Sequence, residues 1–281
     1  DGSRDAMLRL LDDESPCVRQ AVLEELAEWG DDGISFLRSI EDRGDLEADT
    51  ASELLRELGW EDGAMMFRRF IRDFSYELES GFLLLDKVIR PGSSPAETCL
   101  RLDELASRCE ELSLLPSSPS ERCRLVSRVL FHEESLRGAR LDFHNPMNSS
   151  LSFAWGEKRG LPMTLCVIFL LVARRIGLEL EPVGLPGRFM VGCFLGEVPF
   201  FVDAFEGGRM RTSGEVVSFL RKRDLDDSAR WLMPTTVGDL LRRACRNLVS
   251  HHLRSGNEES AHLFSTFGNE FEEAYRKASG N

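Results

Sequence analysis

Seven cysteines and five histidines are the side chains in this chain best suited to nucleophilic or metal chemistry, and their spacing restricts what they can do. Cys17, Cys99, Cys109, Cys123, Cys166, Cys193 and Cys245 are scattered, and no two stand as C-x-x-C. That spacing fits neither a zinc site nor a dithiol motif, and the odd number fits no closed disulfide framework. Unpaired thiols point to a reducing, cytoplasmic compartment. His251 and His252 are adjacent; on a helix they face ~100° apart, so they read as surface or packing residues. No metal and no cofactor is expected. Cys166 sits among Leu165, Val167, Ile168 and Phe169, the setting of a small core side chain. Arg188 carries a fork of donors suited to a carboxylate. It is either half of a structural pair with Asp203 or a contact for an anionic ligand.

The composition excludes several functions. Lys+Arg 35 against Asp+Glu 48 gives a net charge of −13 over 281 residues. Phosphate contacts need a basic face, and the clusters Arg221 to Arg223 and Arg242 to Arg246 are too short to supply one. The same balance opposes docking on an anionic membrane. The longest apolar run, Leu165 to Ala173, is far short of the ~20 residues of a membrane span. With 42% hydrophobic and 30% charged residues, the chain has the make-up of a folded globule.

The elements that must position these residues follow from periodicity. Residues 1–60 read as short helices: Pro16 opens one whose Val18, Val22, Leu23, Leu26 and Ala27 recur at helical spacing, and Ile34, Leu37 and Ile40 mark the next. This stretch resembles a HEAT-like repeat, with a decayed second copy around Thr50–Trp60; an ordinary helical hairpin is the alternative. Residues 61–140 continue helically through Leu100–Leu115, with breaks at Pro91–Pro95 and Pro116–Pro119 and a last helix through Leu125 to Phe131. Gly138–Asn148 reads as a loop. Pro162 starts a helix, Met163 to Ile176, that is apolar on nearly every side and therefore buried, and Gly177 is its C-cap. Short β-like runs follow at Leu180–Gly184, Phe189–Phe194 and Val198–Val202. From Ser213 the chain is helical again: Ser213–Arg223, Thr236–Arg254 and Glu258–Ala278. The last pair resembles a TPR-like hairpin, with Leu240, Leu241, Ala244, Leu248 and Val249 facing Ala261, Leu263, Phe264 and Phe267.

Five pieces in order carry a family resemblance: the loop Asn145 to Asn148; Arg159-Gly160-Leu161-Pro162 at the helix start; Ala173 to Leu178 at its end; Pro186-Gly187-Arg188-Phe189; and Asp203 to Gly208. Together they resemble the transglutaminase-like domain of bacterial SirB-type proteins, over segment 141–212. The resemblance implies a papain-like α+β core, with a buried helix against a short antiparallel sheet. The expected fold is mostly α: helical segments 1–60 and 61–140, the core 141–212, and a TPR-like tail 213–281.

The wider superfamily implies a thiolate at the start of the buried helix, a histidine on the following strands and an aspartate that orients it. Here the nucleophile position falls near Pro162 or Met163, Arg188 fills the histidine slot, and Asp203 matches its slot. An arginine cannot serve as a general base. The expected function is a non-catalytic interaction module for a protein or peptide partner, not for nucleic acid or membrane. The alternatives are a divergent thiol enzyme using Cys166, His144 and Asp203, or an anion pocket around Arg188 to which Asn145 and Asn148 contribute.

Overall fold

The computed structural model describes residues 2–11, 13, 15–41, 43, 46–58, 62–113, 117–222 and 228–279; Trp60, Leu115, Pro116 and Arg223, named among the expectations above, lie outside them. Two compact units result, Asp1–Met65 and Met66–Asn281. The first holds helices α1 (Gly2–Leu10), α2 (Pro16–Trp29), α3 (Asp31–Glu41) and α4 (Leu46–Glu57), and α5 (Gly63–Asp73) carries the boundary. Pro16 sits in the first turn of α2, where its missing N–H is no loss. Val22 and Leu26 from α2, Leu37 and Ile40 from α3, and Leu54 and Leu55 from α4 share one core. Ala27, expected on that face, is exposed, because it lies one residue (~100°) beyond Leu26.

The second unit continues with α6 (Leu78–Ile89), α7 (Pro95–Glu111), α8 (Pro119–Ser127), β1 (Arg137–Gly138), α9 (Leu151–Glu157), β2 (Arg159–Gly160) and α10 (Pro162–Arg175). Four strands follow: β3 (Glu181–Leu185), β4 (Arg188–Cys193), β5 (Phe200–Asp203) and β6 (Arg209–Thr212). The helices α11 (Ser213–Arg221), α12 (Ser228–Trp231), α13 (Val237–Arg254) and α14 (Glu258–Ala278) complete it. The molecule is an α+β fold, mostly α, with one small antiparallel sheet in the order β3-β4-β5-β6.

Helix α10 is the post of this unit. Every residue from Met163 to Ala173 is buried, as a helix without a polar face must be, and α6, α7, α8, α9 and β4 all pack around it. Gly177 adopts φ 69° and closes the helix: its N–H donates to Arg174 O and that of Leu178 to Ala173 O, both at 2.9 Å. Such a left-handed closure suits glycine. Arg174 pairs with Glu77 at 2.6 Å, and Arg175 with Glu79 and Asp103 at 2.6 Å each. The Ala173–Leu178 motif therefore anchors the helix end.

The structure departs from the expected elements at β6, at β1 and at a π turn. A fourth strand, β6, lies at the sheet edge; Arg-Met-Arg-Thr has no apolar alternation because little of it is buried. The loop expected from Gly138 begins as β1, paired in parallel with β2 through Gly138 and Gly160, a ladder too short to leave a periodic signal. The helix expected through Phe131 changes at Arg128 into a π turn, Arg128–Glu133. In the tail, buried residues of α13 (Leu240, Leu241, Ala244, Leu248) and α14 (Ala261, Phe264, Phe267, Phe271) form the expected apolar seam, whereas Leu263 and Val249 are only partly buried. Among the described residues no helix is long and apolar enough to cross a membrane.

Candidate functional site

The Pro-Gly-x-Phe segment is a hairpin corner. Leu185 pairs with Arg188 across β3 and β4, leaving Pro186 and Gly187 as the turn, and Gly187 has φ 69°. Proline followed by a glycine at positive φ is the type II arrangement. Its effect is to set Arg188 at the first position of β4. Asp203 ends β5 and begins a 3₁₀ turn, Ala204–Glu206, whose Glu206 N–H donates to Asp203 Oδ1 at 3.2 Å. Gly207 and Gly208 follow at φ 70° and 77°. A Cβ on Gly208 would stand 2.4 Å from Ser127 Oγ, so the second glycine is needed for close approach as well as for its backbone angle.

These two corners bring Arg188 and Asp203 together. Arg188 Nε lies 3.3 Å from Asp203 Oδ2, and Nη2 lies 3.0 Å from Glu206 Oε1. Asp203 is 0% exposed; burial raises its carboxyl above the usual range, and the Arg188 charge pulls it back. The guanidinium also stands 5.3 Å over the Phe219 ring. Arg188, expected from the resemblance at the histidine position, is thus a charge-paired arginine.

Cys166 is 0% exposed, one turn inside α10. Burial raises its thiol well above an ordinary cysteine and the Asp203 charge adds to this, against a backbone hydrogen bond from Ala204 and the Arg188 charge. The thiol is protonated at neutral pH, and the groups that set its titration include no histidine. His144 is exposed; its Nε2 lies 3.3 Å from Arg254 Nη1 and its ring 5.5 Å from that of His251. Asn145 accepts from Met147 N–H at 3.0 Å and donates to Asp142 Oδ2 at 2.8 Å. Asn148 is 0% exposed and donates to Asp142 O. Its own carbonyl accepts from Leu161 N–H at 3.1 Å and Thr164 Oγ1 at 2.9 Å. Both asparagines shape the loop, and Asn148 ties it to the start of α10.

A cleft of about 210 Å³ opens where the mouth of α10 (Leu161, Pro162, Met163) meets the hairpin corner (Gly187, Arg188, Phe189), and Phe143 borders it. Its remaining wall comes from α13: Arg243, Asn247 and His251. Sequence reasoning missed the first two of these. The signal was present, since 243, 247 and 251 recur every four residues and share one helix face beside the apolar stripe. Arg243 Nη2 donates to Leu185 O at 2.7 Å and to Arg188 O at 3.3 Å, and the guanidinium lies 5.3 Å over the Phe189 ring. Burial, then Arg246, holds its pKa below that of an ordinary arginine, and no carboxylate offsets them. His251 is 5% exposed with Nδ1 unpartnered. Burial, with His144, Arg254 and His252 adding, pushes it down to about 4, so it is neutral at pH 7. His252 stacks on Phe264 at 5.5 Å. Among the described residues no three His, Cys, Asp or Glu side chains gather as a metal site would require.

Residues 96–246 match the family described as the transglutaminase-like superfamily. A UPF0162 protein of Xylella fastidiosa (strain 9a5c) is 30% identical over 166 residues, 57% of this chain and 58% of that protein. A UPF0162 protein of Pseudomonas aeruginosa is 28% identical over 178 residues, 61% of this chain and 63% of its own length. F-box only protein 21 of Mus musculus is 26% identical over 202 residues, 68% of this chain but 31% of that protein. The matches therefore span less than two-thirds of each of these relatives. No solved structure matches the chain.

Proposed function

The chain belongs to the transglutaminase-like superfamily, and from that membership we propose that it is a protein-interaction module in which the superfamily's thiol chemistry has been retired. One observation carries the reading: the position of the general base holds Arg188, ion-paired to the aspartate that would otherwise orient a histidine. Acyl transfer by a thiol needs a thiolate, a base within hydrogen-bond reach and an open approach to the sulfur. The mouth of α10 offers Pro162 and Met163, neither of them a nucleophile. Cys166 is sealed in the core, with its titration pushed away from neutrality. Arginine stays charged at any physiological pH and cannot accept the proton.

The finer assignments belong to the same proposal. The chain is a SirB-type member that works in the cytoplasm; α2 and α3 act as a HEAT-like pair, and α13 and α14 as a TPR-like pair that presents a surface to a protein or peptide partner. The test is alkylation by iodoacetamide at pH 6, mapped residue by residue. Exposed Cys17 should react at the rate of a free cysteine and Cys166 far more slowly. Alkylation of Cys166 much faster than free cysteine, abolishing any acyl-transfer or amidase activity along with it, would overturn the reading.

A further inference from the structure

We propose that the cleft between α10 and α13 is a recognition site for a carboxylate bearing a short apolar substituent. The proposal rests on the reading of this cleft as non-catalytic and names the chemistry it recognises. Three observations converge there. Arg243 is half-buried, and among the described residues no carboxylate pairs with its charge, although the chain carries a net charge of −13. His251, 5% exposed, lines the same space, and its Nδ1 is enclosed without a partner. The first turn of α10 opens on the cleft without a side-chain cap on its amides, since its N-cap is Leu161. A helix N-terminus favours negative charge, a half-buried guanidinium without a carboxylate beside it attracts that charge, and the neutral ring of His251 adds no charge of its own to the lining.

The charge count selects a monoanion. Arg188 also borders the cleft, but Asp203 and Glu206 already offset it, and His251 is neutral, which leaves Arg243 as the one lining guanidinium without a carboxylate among the described residues. A phosphate would bring more negative charge than the site can balance. Arg243 Nη2 is held by two backbone carbonyls, which fixes the guanidinium and leaves its other N–H groups to meet a single carboxylate oxygen. The rest of the lining is apolar: Leu161, Pro162, Met163 and Phe189. The cavity, about 210 Å³, is below the ~300 Å³ at which drug-sized pockets begin and suits a branched short-chain acid or the last residue of a peptide. Both sources present the same group, a free carboxylate beside an aliphatic side chain.

Calorimetric titration of the full chain with isovalerate, and with a tetrapeptide ending in leucine, tests this. One-to-one binding is expected for the acid, for the free-carboxyl peptide, or for both, and not for isovaleramide or the amidated peptide. Tighter binding of the peptide assigns a protein C-terminus as the source, and tighter binding of isovalerate assigns a free acid. Arg243→Met should weaken binding at least tenfold. Because Arg243 also supports the hairpin carbonyls, Asn247→Phe is the second variant: it fills the cleft, leaves Arg243 in place and should abolish binding with the melting temperature retained. No binding by wild type, equal binding of the amides, equal binding of inorganic phosphate, or wild-type affinity in both folded variants would overturn the proposal. Those failures leave the non-catalytic reading intact, whereas rapid alkylation of Cys166 would overturn that reading whatever the titrations show.

Discussion

Two groups of buried polar side chains beside α10 are satisfied to different degrees. On the flank formed by α6 and α9, Asp86 is 2% exposed and accepts from the Ser150 hydroxyl and from Ser152 N–H at 3.2 Å. Ser150 Oγ accepts from Phe153 N–H at 3.0 Å, and Arg90 donates to Ser152 Oγ at 3.2 Å. That network closes on itself. On the cleft flank, among the described residues, Arg243 has no carboxylate partner, His251 Nδ1 has no hydrogen-bond partner and the first turn of α10 has no side-chain cap. Buried polar groups are normally satisfied; the Asp86 network meets that rule, and the cleft groups are the ones that the proposed carboxylate would complete.

Substitutions can break or sharpen that contrast, beginning with one that should damage both flanks together. Phe169 is 0% exposed on α10 and stacks on Phe131 at 6.4 Å. Phe169→Ala should cost about 3–5 kcal/mol in urea unfolding, and a loss below ~1 kcal/mol would mean that α10 is not the common post. Arg188→Met comes next. It leaves Asp203 buried without its counter-charge, and truncating a buried pair costs about 3–5 kcal/mol, here towards the lower end because Arg188 is partly exposed. The cost should depend on pH. Asp203 already titrates above its unfolded value, so the folded state takes up the proton first and the penalty shrinks as pH falls through that raised value. A cost that did not change with acidification would show that Asp203 carries no charge to be stranded. Smaller again is Asp86→Ala on the closed flank, about 1–3 kcal/mol for the stranded Ser150 and Ser152 donors, with carboxylate binding at the cleft unchanged. Loss of that binding together with stability would show the flanks to be coupled.

How far the sequence exposes this arrangement depends on the kind of signal each part leaves. The buried helix was legible because nine consecutive apolar residues, Leu165 to Ala173, leave no polar face, and its end because Gly177 marks a left-handed closure. Strand β6 was not, since an edge strand of Arg-Met-Arg-Thr buries too little to alternate. Arg188 and Asp203 could be read as partners from the fork and the carboxylate, although only the two corners that carry them make the pair unavoidable. The contribution of α13 was hidden for another reason. Its apolar stripe dominates the helical pattern, and the adjacent line Arg243, Asn247, His251 gains meaning only once α13 lies against the mouth of α10. That long-range juxtaposition is absent from local periodicity.

The smallest effect isolates the cleft flank through acid stability. His251 titrates at about 4 in the folded chain against an ordinary value of 6.5. Between those pH values the unfolded chain binds more protons, so stability falls as pH drops from about 6.5 towards 4. His251→Phe removes that contribution while keeping a ring against Phe143, 6.2 Å from His251 in the wild type. Its unfolding curves at pH 7 should lie near wild type, within about 1 kcal/mol, and its loss on acidification to pH 4 should be smaller. The slope will not vanish, because His252 is also held low by burial. The sign separates the two titrations: acid relieves the cost of Arg188→Met through Asp203, but it penalises wild type through His251. If His251→Phe lost stability on acidification as steeply as wild type, His251 would not be the neutral buried group that leaves this flank open to a ligand.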